Sequence, residues 1–328
     1  MPSIHRRSIL VSAALGALGV PSAALANPGY PERPIRVVVP FAAGNVLDIA
    51  LRQVAEEFKK TVGQPIVVDV KPGGAGLIAA QSVASAPPDG YTLLLSTISM
   101  LTINPFTFSK LPYDSDKSFR HVTGFYGTPM VMAVNANVPA NNLKEFIDWA
   151  KKQTTPVSFA SFSPGNSSHF MGVILNQRAG IDMVHVPYNG TPPAVQALLA
   201  NQVSATFLPM MAVKAHVAAG KLKILAVSNE QRSSHAPGVA TFKEQGFPDL
   251  MVYVWSGISA PAGTPDAIVA KLNAEFTKIL RSPEIRAKWA ETDAESMPMS
   301  STEFTTYMHG DAKRWAEAVR LSGFKANQ

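Results

Sequence analysis

Residues 35–48 read Ile35-Arg36-Val37-Val38-Val39-Pro40-Phe41-Ala42-Ala43-Gly44-Asn45-Val46-Leu47-Asp48. The β-branched run predicts a buried strand over 35–39, and a small-residue turn then leads into a helical pattern. Leu47, Ala50, Leu51, Val54, Ala55 and Phe58 recur at spacings of three and four, which puts them on one face of a helix over 47–61. The alternation continues with a strand over 66–70, a helix over 76–86 and a strand over 91–95. Strand–helix–strand order calls for a parallel sheet with helices on both faces. Right-handed crossovers bring the strand carboxyl ends to one edge, where open α/β sheets bind ligands.

A second series follows near Met130. It has predicted strands over 131–134, 157–160, 183–186, 203–207 and 224–227, and helices over 143–152, 168–178, 194–200 and 210–219. A further apolar strand falls at 252–258. Pro265 and the regular Ile268, Leu272, Phe276 and Ile279 then announce helices that run to the carboxyl end. No internal repeat and no low-complexity linker separates the two series. The expectation is an α/β fold of two lobes whose chain crosses between them more than once, with the late helices packed back on the first lobe.

The chain has 328 residues, room for about two domains. A composition 46% hydrophobic and 16% charged, with 22 Gly and 26 Pro, excludes a disordered, coiled-coil or collagen-like chain. The absence of cysteine excludes disulfide scaffolds, thiolate metal sites and cysteine catalysis. Residues 1–26 place His5-Arg6-Arg7 before an apolar run from Ile9 to Val20 and an Ala24-Leu25-Ala26 cleavage pattern. This is the layout of a secretory signal cut near Ala26, and the Arg6-Arg7 pair also fits a twin-arginine signal. Outside that segment 27 basic side chains face 23 acidic ones. That bias is mild and lacks the clustered stripe of a nucleic-acid binder. An exported protein acts without ready access to ATP or NADH.

Three loops carry the chemistry. The 40–48 turn lets backbone approach a ligand closely, and the helix start behind it offers unpaired N–H groups to an anion without Lys or Arg. The bland reading is an ordinary βα turn. Gly74-Ala75-Gly76-Leu77-Ile78-Ala79 matches a dinucleotide fingerprint, but it follows the second strand and no carboxylate stands among residues 91–113, so no nicotinamide cofactor is expected. Ser161-Phe162-Ser163-Pro164-Gly165-Asn166-Ser167-Ser168-His169 is the corresponding loop of the second series, with Ser168 the expected helix cap. A secreted hydrolase using Ser167 or Ser168 with His169 is the enzyme alternative. Neighbours on a helix do not face each other, however, and no G-x-S-x-G elbow is present. The histidines show no metal-ligand spacing. Tyr188, in His185-Val186-Pro187-Tyr188-Asn189-Gly190, stands where a strand end meets the sheet edge.

Read together, these segments resemble the substrate-binding proteins of tripartite tricarboxylate transporters, the Bug family. The blocks are PFAAGNVLD (40–48), KPGGAG (71–76), PPDGYTLL (87–94), LPYD (111–114), MVHVPYNG (183–190), AGKLKILAVS (219–228), APAGTP (260–265) and IVAKLNAE (268–275). The resemblance implies a type II periplasmic binding protein with lobes at 27–129 plus 256–328 and at 130–255. It implies a monomeric periplasmic receptor, without cofactor or catalysis, that passes a small organic carboxylate to a two-subunit membrane permease. A ligand-dependent sensor partner is the other role the same lobes would serve. The implied ligand contacts are Phe41, Ala42, Ala43, Gly44, Asn45 and Asp48 in the first loop, and Ser96, Thr97 and Ser99 after the third strand. In the second lobe they are Gly165, Asn166, Ser167, Ser168 and His169, with Tyr188 nearby. The family often has Gly where Asn45 stands, Ser or Thr at the place of Leu47, and Asp at the place of Leu208. The two leucines suggest a less polar carboxylate, aromatic or aliphatic.

Overall fold

The computed structural model describes residues 29–326; the expected signal segment over 1–26 lies outside them. Strand β1 (Ile35–Val39), helix α1 (Val46–Val62), β2 (Ile66–Val70), α2 (Leu77–Ala84) and β3 (Thr92–Thr97) open the chain. A π-helical turn (Ser99–Ile103) and a short α3 (Asn104–Thr107) lead to β4 (Phe119–Asn135). The next units are α4 (Leu143–Ala150), β5 (Ser158–Ser161), α5 (Ser167–Ala179), β6 (Val184–Pro187), α6 (Thr191–Leu199), β7 (Ala205–Pro209), α7 (Met210–Ala218) and β8 (Leu222–Val227). The chain ends with β9 (Tyr253–Pro261), α8 (Asp266–Leu280), α9 (Pro283–Ala290), β10 (Glu295–Ser296) and α10 (Ser301–Ser322).

The expected first and second strands coincide with β1 and β2. The largest departure is β4. The sequence assigns only 131–134 of it to a strand, yet it runs unbroken for 17 residues. The strand order is β2-β1-β3-β9-β4-β7-β5-β6, with β8 and β10 also paired to β4. Residues 119–129 of β4 pair antiparallel with β9, and residues 130–135 pair with β7 and β8. One strand therefore belongs to both halves of the sheet and makes the outward crossing; residues 228–253 make the return.

Ser228 ties the two crossings together. The Met130 N–H donates to its hydroxyl oxygen at 2.7 Å, its own N–H donates to Met130 O at 2.8 Å, and its hydroxyl donates to Val252 O at 2.6 Å. Helix α1 buries Ala50, Leu51, Val54 and Phe58 on one face, as its spacing requires. Phe58 meets Phe276 of α8 with ring centroids 5.4 Å apart, so the late helices cover the first half. Helix α10 does more than expected: it packs on β4 and the 99–103 turn and also on α5 of the second half. Among the described residues no helix is long and apolar enough to cross a membrane.

Candidate functional site

Strand register brings the loops together. Thr97, the last residue of β3, lies opposite Ser256, which lies opposite Tyr126 of β4. From the other half, Pro209 at the end of β7 lies opposite Met130 of β4. The carboxyl ends of the two parallel sets therefore approach one another along β4, with four residue steps, about 13 Å, separating these points. Because β1 runs parallel to β3, and β5 and β6 parallel to β7, the turns after β1, β3, β5 and β6 open onto the same gap.

In the first turn Asn45 caps α1 by accepting from Leu47 N–H at 3.0 Å, and Ala42 to Asn45 are exposed. Asp48 is turned inward and 2% exposed. It accepts from Gly44 N–H at 2.8 Å and from Arg52 Nε at 3.1 Å. The Arg52 guanidinium, helped by Gly44, holds the Asp48 carboxyl below the usual range against the opposing effect of burial. Asp48 therefore shapes the turn, and its carboxylate, an acceptor only, has no donor to offer an anion. The Ala43 and Val46 N–H groups have no hydrogen-bond partner among the described residues.

After β3 the expected contacts divide. Ser96 is fully buried, its hydroxyl donating to Gly257 O at 3.0 Å in a chain that runs through Ser259 to His121. Thr97 is buried and accepts from Met100 N–H at 3.3 Å. Only Ser99 is half-buried at the turn. The hydroxyls of Ser96 and Thr97 thus serve the fold.

In the second half Asn166, rather than Ser168, caps α5. Its side-chain oxygen accepts from His169 N–H at 3.1 Å and from the Ser168 hydroxyl at 2.8 Å. Ser168 in turn accepts from Phe162 N–H at 3.2 Å, which draws the turn back onto the helix. The Asn166 Nδ2 is buried and has no partner, and the Ser167 and Ser168 N–H groups have none among the described residues. Such a buried donor leaves hydrogen-bonding capacity unused.

His169 Nδ1 accepts from Gly165 N–H at 3.2 Å, so its ring is neutral with the proton on Nε2. It stacks on His185, a residue absent from the expected set. Ser161 donates to Ser163 O at 2.9 Å, which leaves its oxygen to accept from His185 Nε2 at 2.6 Å. Burial depresses both imidazoles, His169 to about 3 and His185 to about 4. Ser168 is spent on Asn166 and Ser161 on a carbonyl, and the Ser167 hydroxyl has no histidine partner among the described residues. The hydrolase alternative therefore lacks an activated nucleophile. Tyr188, half-buried, packs against the second half's core, and its N–H donates to Ser161 O at 2.9 Å.

Leu208, expected to make the site less polar, is fully buried on β7 opposite Val131, inside the second half's core. Phe41, Val46 and Leu47 are half-buried near the first turn. Concave surface also lies outside the gap. A groove of about 650 Å³ runs between α7, β8 and the 235–239 turn, and another of about 290 Å³ lies beside residues 150–157 and 180–183. Neither is lined by the loops described here. Among the described residues no group of three or more His, Asp or Glu side chains could hold a metal ion.

Comparison with known proteins places this geometry among relatives. The family model described as "Tripartite tricarboxylate transporter family receptor" matches residues 50–324. A UPF0065 protein of Bordetella bronchiseptica is 35% identical over 99% of this chain and 98% of its own length. Among solved structures, an R. palustris protein with adipate is 27% identical with a TM-score of 0.82, covering 90% of this chain and 99% of that one. MatC from Rhodopseudomonas palustris with bound malate is 32% identical with a TM-score of 0.77, covering 88% and 100%.

Proposed function

From the premise that this chain belongs to the tripartite tricarboxylate transporter receptor family, we propose that it captures a small, weakly polar carboxylate in the gap between its lobes. Family members are periplasmic solute-binding receptors and not enzymes. Under the proposal the lobes comprise 27–129 plus 256–328 and 130–255, and the chain is exported by cleavage near Ala26. It then acts as a monomer with a two-subunit permease.

The observation that carries the reading is the buried, unpartnered Asn166 Nδ2 beside the free amides of Ser167 and Ser168; the free amides of Ala43 and Val46 stand in the corresponding turn of the other half. Neither loop contains Lys or Arg, so amide donors and two helix starts would hold the charge. Charge-assisted bonds of this kind contribute about 1.5–3 kcal/mol each, and more as lobe closure removes water. Phe41, Val46 and Leu47 would border an aliphatic or aromatic body. The adipate and malate relatives support a carboxylate of this size.

The test is a thermal-shift screen of adipate, malate, citrate, glutamate and benzoate, with mass spectrometry of molecules released from the purified protein. Adipate or benzoate should stabilise most. Stabilisation by citrate and glutamate with none from the less polar acids overturns the ligand class. Asn166→Asp keeps a good helix cap but exchanges the donor for a negative acceptor. It should keep the wild-type melting temperature and weaken carboxylate binding at least about tenfold; undiminished binding would remove this loop from the site.

A further inference from the structure

Helix α10 is fixed along most of its length to the first half's sheet, which includes β9 from Tyr253 onward although the proposed lobe boundary falls after residue 255. Phe304 packs edge-on to Trp255 with centroids 5.5 Å apart. Asp311 accepts from the indole N–H of Trp255 at 2.8 Å and of Trp315 at 2.9 Å. Its carboxyl end reaches the other half. Beyond the Gly323 cap, the Phe324 ring stands edge-on to His169 at 5.2 Å and to Phe170 at 6.1 Å. A β-carbon on Gly165 would stand 2.5 Å from that ring, so the glycine makes room for it. Two residues later the Ala326 N–H donates to Thr107 O at 2.9 Å, which returns the chain to α3 of the first half.

We propose that Phe324 is a positioning residue for the 163–169 loop and that residues 323–326 form a strap holding the two halves in register. The proposal rests on the reading of that loop as a ligand contact. The ring bears on the imidazole whose Nδ1 accepts from Gly165, so it steadies the turn that aims Asn166 and Ser167. Because α10 moves with the first half and His169 with the second, the contact exists only while the halves keep this relation. An edge-to-face pair of this kind shifts a two-state equilibrium by roughly 2- to 10-fold.

The chain has no cysteine, so Lys59→Cys and Lys151→Cys, both exposed, take paired spin labels without background. In the unliganded full-length protein, adding Phe324→Ala should shift the distance distribution towards longer separations, changing the ratio of compact to extended forms roughly 2- to 10-fold. The His169 imidazole signals in NMR, assigned through His169→Gln, should move as well, and Phe324→Tyr should restore both readouts. A variant ending at Phe324 keeps the ring and loses the Ala326 pin. It should lengthen the distance with the His169 signals in place. Distances and His169 signals unchanged in Phe324→Ala overturn the proposal, as does an unchanged distance in the shortened chain. Neither readout contains a ligand, so failure to bind carboxylates would leave these outcomes standing.

Discussion

The imidazoles of His169 and His185 lie face to face, with centroids 3.8 Å and planes 12° apart. Two cations do not share that geometry, and His169 Nδ1, which accepts from Gly165 N–H, needs the neutral form. The stack is therefore a pH-sensitive joint between α5 and β6.

Between pH 6.5 and about 4 the unfolded chain takes up protons that the folded chain refuses. This contribution to stability is complete above about pH 6.5 and is lost as pH falls towards the folded values. Lowering the pH from 7 to 5 should cost about 2 kcal/mol for each histidine, and buried His121, depressed to about 4, adds a similar loss. Urea unfolding at the two pH values measures this. His185→Phe should lessen the drop by about 2 kcal/mol or more, and an equal drop in both proteins would refute the assignment.

Asp48→Ala removes the acceptor for Gly44 N–H and the partner of Arg52. Chemical denaturation should show a loss of about 1–3 kcal/mol. Carboxylate binding should weaken with it, because the exposed 42–45 turn loses its anchor. Wild-type affinity in a destabilised protein would mean that this turn does not contact the ligand.

Ser228→Ala unties the outward and returning crossings. The Met130 N–H, at a position where water has little access, loses its acceptor, and about 1–3 kcal/mol should go. Hydrogen exchange at residues 130–131 and 252–254 should rise relative to the cores of both halves. Uniform change across the molecule would argue that Ser228 acts only on global stability.

Gly172→Ala tests the fit of α5 on β5. A β-carbon there would stand 2.1 Å from the Phe159 ring, and Phe159 is itself buried. Overpacking should cost about 1–3 kcal/mol. Thermal denaturation reads the loss, and Phe159→Leu in the same chain should recover part of it.

Local pattern made part of this molecule legible. Four β-branched residues in five are hard to place except in a strand, and β1 and β2 lie where the sequence puts them. The first part of β4 was hidden because Gly124, Gly127 and Pro129 read as turn residues, and His121, Thr123 and Thr128 break the apolar run. Pairing with β9 overrides those signals. The loops of the site could be named, but not the direction of each side chain. Ser96, Thr97 and Asp48 have suitable chemistry and spend it on the protein, while Leu208 faces a core. His185 sits two strand positions from Pro187, on the face that Ser161 shares, a relation visible only once β5 and β6 are aligned. Phe324 lies 159 positions from Gly165, and no local pattern links them.

Since residues 119–135 run from one sheet half into the other without a loop, the joint of this molecule is hydrogen-bonded backbone and not a slack tether. Rotation of one half against the other must twist that ribbon and its neighbours elastically. The swing should be shallow and self-reversing, so the molecule would spring back once its cargo leaves and need no outside work to reset.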